Sequence, residues 1–184
     1  EERFGYKPSY REAYDYFKAN VNNMNLPKKQ EQQLLSIFKE IIQQSLERLT
    51  EITAETSHGS IISGDALSNV GVRLSERANR VHIHTSEILP LNATASGIAY
   101  LAFAPDMPTL MQQADLPAFT DNTITDPSDL LQCINKTKED GYSVMRGSYE
   151  DDVTGIAVPI FSSNGFAMGA LAVISPSSRI NKDH

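Results

Sequence analysis

The chain has 184 residues, 40% of them hydrophobic and 21% charged, with a formal net charge of −7 at pH 7. A chain of that size buries enough surface to hold a core without metal or disulfide. The acidic balance excludes this stretch as a nucleic-acid-binding surface, which needs clustered Lys and Arg. Cys133 is the single cysteine, so an internal disulfide is excluded and a cytoplasmic home is expected. No apolar run approaches 18 residues and no signal peptide is visible, so no membrane partner is expected. The chain opens on Glu1 rather than Met and is therefore expected to begin inside a longer protein.

Residues 9 to 24 read as a short helix, broken by Asn22, Asn23 and Pro27. A much longer helix is predicted from about 28 to 56. Leu34, Leu35, Phe38, Ile41, Ile42, Leu46, Leu49, Ile52 and Thr53 recur there at three- and four-residue steps. That stripe must lie against the domain's own sheet, a second copy of itself, or both. After Gly59 the period shifts toward 2, predicting strands at 60–63, 70–74 and 81–84, with a turn at Gly64-Asp65. A helix follows in the small-residue run after Leu91 and ends at Pro105; a short one covers 107–114. Asp126 and Pro127 open the next helix as cap and first residue, Leu130, Leu131 and Ile134 form its buried face, and Gly141 stops it. Strands at 142–148, 155–161 and 168–175 follow, the last two joined by Ser163-Asn164-Gly165. The order is α+β: a mostly antiparallel sheet with helices packed on it.

The candidate reactive groups are few. Cys133 sits mid-helix with no His near in sequence and reads as structural. His82 and His84 alternate on one side of an extended segment, but two ligands do not make a zinc site. His58 stands near the end of the long helix, where a cation is favourable, and reads as a cap. Asp151-Asp152 read as a solvated turn. No metal, cofactor or catalytic group is expected.

Three stretches carry a resemblance: "LPLNATASGIAYLAFAP" at 89–105, "TITDPSDLLQCINKTKEDGYSV" at 123–144 and "GIAVPIFSSNGFAMGALAVISPSSRI" at 155–180. In this order and spacing they resemble the C-terminal effector-binding domain of IclR-family transcription regulators. The resemblance implies a GAF-like fold: a curved, mostly antiparallel sheet of about six strands with helices on both sides, preceded by a long linker helix. It divides the chain into a helical segment and linker at 1–56 and an effector-binding domain at 57–184. It implies a small-molecule effector, a homodimer or homotetramer, and DNA contact only through an N-terminal domain outside the chain. Family pocket positions fall on Ala95, Ser96, Met145, Val153, Gly155, Ala172 and Ile174. Asn92 and Ser96, with the N–H groups of that helix start, are candidates to hold a carboxylate. In small-acid-sensing members several of these positions are polar; here they read Met145, Gly155, Ala172 and Ile174, which favours a larger, flatter or more apolar ligand with one polar end, the effector being a small organic acid or an aromatic metabolite. The alternatives are a thiol-dependent enzyme of the same fold and a ligand-free dimerisation module.

Overall fold

The computed structural model describes residues 28–180 apart from 64–65, 85–86, 106, 114 and 162–164. The predicted helix at 9–24, the turn at Gly64-Asp65, and Ser163 and Asn164 of the last hairpin lie outside the described residues. Helix α1 (Lys28–Thr53) leads into β1 (Thr56–Ser63) and β2 (Ala66–Arg73). After a long connection come β3 (Ile88–Leu89), α2 (Ala95–Phe103), α3 (Met107–Gln113) and α4 (Pro127–Asp140). Strands β4 (Ser143–Arg146), β5 (Val153–Phe161) and β6 (Ala167–Pro176) complete one six-stranded antiparallel sheet in the order β3-β2-β1-β6-β5-β4. The expected α+β, GAF-like architecture with helices on both faces is what the chain forms.

The sheet register decides which residues face which helix. His58, Ala172 and Ala157 lie side by side across three strands, as do Thr56, Ile174, Gly155 and Met145. These point to the face covered by α2, where Ile98, Ala99, Leu130 and Ile134 are fully buried. The neighbouring positions point the opposite way, toward α1. Ile42 and Leu46 of α1 pack there against Gly59 and Gly71, each such buried side chain contributing on the order of 2 kcal/mol. Ile42 and Leu46 of the predicted stripe thus lie on the domain's own sheet, while Ile52 is 71% exposed; the side chains of Leu34, Leu35 and Phe38 lie outside the described residues.

The junction from α1 into β1 is tied down three ways. Ala54 takes a left-handed φ of 57°, turning the chain. The Ser57 hydroxyl donates to the Leu46 carbonyl at 2.9 Å and shares a hydrogen bond with Thr50. Glu55, buried, receives both Nε and Nη2 of Arg179 at 2.6 Å. Arg179 closes the Ser-Pro-Ser-Ser-Arg run, so the C-terminal motif fastens the end of the linker helix.

Three expectations require correction. Val81–His84 forms no strand; the third strand is the two-residue β3 further on, paired with Leu67 and Ser68. Strand β1 begins at Thr56, four residues earlier than its hydrophobicity signals. Leu131 is 42% exposed on α4, whose buried face is Leu130, Ile134 and Thr137. The predicted helix start and stop hold: Asp126 caps Ser128 and Asp129, and Gly141 takes φ 81°.

Candidate functional site

Helix α2 enters through a built N-terminus. The Thr94 hydroxyl donates to the Pro90 carbonyl at 2.8 Å and accepts from the Gly97 N–H at 3.0 Å. That uses one of the free N–H groups of the first turn; those of Ala95 and Ser96 have no partner among the described residues. The Ser143 hydroxyl on β4 donates to the Ala95 carbonyl at 2.6 Å and pins this helix end over the sheet. Glycine at 155 eases the approach: a Cβ there would come within 3.1 Å of the Ala95 methyl.

Between this helix start, the sheet and the 81–87 connection lies a partly open cavity of about 60 Å³, room for several water molecules. Its floor is Met145, Gly155, Ala172, Ile174 and His58; its roof is Ala93, Thr94, Ala95 and Ser96; its rim includes Val81, His82, Ile83, Glu87, Tyr149, Glu150 and Val153. Seven of the eight residues singled out from the sequence therefore gather around one space. Asn92 does not join them. Its amide donates to the carbonyls of Pro117 and Ile124 at 3.1 and 2.9 Å and borders a separate cavity beside Leu91, Leu110 and Leu130. It braces the loop behind the helix, because it precedes the cap instead of following it.

Two lining residues carry unpaired polar atoms. The Ser96 and Ser148 hydroxyls are buried with no hydrogen-bond partner among the described residues. An unmade buried hydrogen bond costs about 1–3 kcal/mol, so this pair marks the place where a polar group of a ligand is expected. Ser148 carried no sequence signal; it follows β4 in an irregular turn whose path only the fold reveals.

His58 is the other residue missed. It is no helix cap but a β1 side chain, 3% exposed, with Nδ1 2.8 Å from the Asn69 Oδ1. Burial pushes its pKa down to about 4, against a smaller opposing effect of the Asn69 hydrogen bond, so the ring is neutral at physiological pH. His82 and His84 do lie together, ring centroids 5.2 Å apart, on the exposed side of the 81–87 connection. No group of three or more potential metal ligands occurs among the described residues. Asp151 and Asp152 are exposed in the turn between β4 and β5.

Cys133 packs against the core beneath α4, and burial raises its pKa. That shift disfavours the thiolate, the nucleophilic form. Alkylation by iodoacetamide at pH 7.5 is expected to run roughly tenfold or more slower in the folded domain than in denaturant; equal rates would return Cys133 to the list of candidate nucleophiles.

Comparison with known proteins places these features in a family context. Residues 33–184 match the family "Bacterial transcriptional regulator IclR C-terminal". The HTH-type transcriptional regulator BhcR of Paracoccus denitrificans is 30% identical over 138 residues, covering 74% of this chain and 50% of that protein. The chain spans about half the length of the curated relatives it matches. The Thermotoga maritima IclR structure has a TM-score of 0.75 at 22% identity, covering 92% of this chain and 64% of that one. An IclR homolog from Microbacterium hydrocarbonoxydans complexed with 4-hydroxybenzoate has a TM-score of 0.70 at 24% identity, covering 78% and 60%. At these identities the two structures speak to the fold.

Proposed function

This chain belongs to the family of C-terminal domains of bacterial IclR transcriptional regulators, and on that premise we propose that the cavity under α2 is its effector site. The ligand is a flat organic acid, aromatic in its body. Its carboxylate takes the free N–H groups of Ala95 and Ser96 and the unpaired Ser96 and Ser148 hydroxyls. Its ring lies on Gly155, Ala172 and Met145. The single observation that carries this reading is the pair of orphaned serine hydroxyls lining one cavity. That an IclR homolog of the same fold is complexed with 4-hydroxybenzoate supports the ligand class.

No bond is made or broken in this role. Ligand held against β1 on one face acts on α1 held to the same strand on the other, through Ser57 and the Leu46 carbonyl. A coupling of ~1–3 kcal/mol is enough to shift a regulator between states. The helical segment at 1–56 then links the effector-binding domain at 57–184 to a DNA-binding part, the protein acting in the cytoplasm as a homodimer or homotetramer. No helix among the described residues is long and apolar enough to cross a membrane.

A thermal-shift series of benzoates and short carboxylic acids tests the site. At a hundredfold excess over Kd, a true effector stabilises by about 2.7 kcal/mol, a rise of several degrees in Tm. Met145→Glu sets a like charge against the bound acid and is expected to remove that rise while the unliganded domain still melts cooperatively. An unchanged rise in the variant would move the ligand to another site.

A further inference from the structure

Deepening the effector reading above, and resting on it, we infer that His58 selects the ligand: it accepts a hydrogen bond from a hydroxyl group at the end of the ligand remote from its carboxylate. The cavity then takes a hydroxy-substituted aromatic acid in preference to the unsubstituted parent.

The protonation of the ring follows from its partners. The Asn69 Nδ2 donates to the His84 carbonyl at 3.2 Å, so the amide presents its oxygen to His58. That oxygen only accepts, and Nδ1 must carry the proton. A buried neutral imidazole has one proton to place, which leaves Nε2 as a bare acceptor. Nε2 has no partner among the described residues, and the ring forms part of the cavity floor. Asn69 thus does for His58 what an outer ligand does for a metal-bound histidine: it fixes tautomer and orientation.

The placement suits a ligand with a polar group at each end. His58 lies beside Ala172 on β6, and Gly155, beneath the start of α2, lies on β5 beyond it. Two strand spacings separate the histidine from the carboxylate-binding end, on the order of 10 Å, a span filled by one ring and its two polar substituents.

The test is a calorimetric titration of the domain with benzoate, 3-hydroxybenzoate, 4-hydroxybenzoate and 4-methoxybenzoate. At least one hydroxybenzoate is expected to bind tenfold or more tighter than benzoate, and 4-methoxybenzoate, which has no proton to donate, to gain nothing. In His58→Leu the hydroxyl advantage, taken as the ratio of hydroxybenzoate to benzoate affinity in the same variant, is expected to shrink to within twofold. Equal affinity for benzoate and both hydroxybenzoates, or an advantage that survives His58→Leu, overturns the role of His58 and leaves the effector site standing. Absence of binding by all four acids overturns both. A measurement independent of the variant's folding uses native protein with 15N-labelled histidine. The Nε2 resonance of His58 is expected at the position of an unprotonated ring nitrogen and to move upfield with the hydroxylated acid but not with benzoate. A protonated Nε2 in the free domain contradicts the assignment.

Discussion

Replacing Gly97 by alanine is expected to lower the Tm of the domain by roughly 6–12 °C. Gly97 lies in the first turn of α2, hard against the backbone of Leu91. A methyl group there would stand 2.7 Å from the Leu91 carbonyl carbon and overlap its oxygen. The obstacle is backbone, held by the Thr94 hydroxyl on the Pro90 carbonyl, so it does not swing aside like the end of a side chain. Overpacking of this kind costs about 3 kcal/mol. Because the same turn forms the roof of the cavity, effector binding should fall with stability. Gly141→Ala is the comparison: its φ of 81° is unfavourable for alanine, but a methyl there meets nothing within 4 Å, so only about 1 kcal/mol is at stake. A Gly97→Ala melt as mild as that of Gly141→Ala would show that the turn can relax.

The second large effect is with pH. Burial holds His58 at a pKa of about 4, below its ordinary 6.5, so between those values the unfolded chain binds a proton that the folded domain refuses. The contribution of the neutral ring is complete above pH 6.5 and is lost as pH falls toward 4. The full loss is about 3 kcal/mol, and about 2 kcal/mol is gone by pH 5. The other titratable groups around the cavity are His82, Glu87, Tyr149 and Glu150. Denaturant melts at pH 7.5 and pH 5.0 measure the change. In His58→Gln the stability difference between the two pH values should shrink by that amount; a difference as large as in the native protein would place the acid sensitivity on another group.

The C-terminal half of the fold was legible because its signals are local. Asp126, Pro127 and Gly141 act through cap chemistry that needs no tertiary partner, and the last two strands are apolar enough to announce themselves. Strand β1 is not. Thr56–Ser63 reads TSHGSIIS, with few large apolar residues because Ser57 and Gly59 meet α1 and His58 meets the cavity rather than a deep core. Its start was therefore hidden, and His58 was placed on a helix it does not belong to. Val81–His84 misled in the opposite direction. Its alternation is real, with both histidines exposed and on one side, but it borders the cavity and pairs with no strand. The cavity wall was mostly readable through family position. Asn92 was not, since its nearness in sequence to the helix start concealed that Thr94, not Asn92, is the cap. His58 reaches the cavity through strand register and Ser148 through the turn after β4, neither of which the sequence spells out.

The most direct test of the account is diffraction from crystals of the domain grown with 4-hydroxybenzoate. The account predicts density for the ring over Gly155 and Ala172, with the carboxylate at the N–H groups of Ala95 and Ser96 and the hydroxyl at His58 Nε2. Ligand density in the cavity beside Asn92, or only water beneath α2 at saturating ligand, would contradict it.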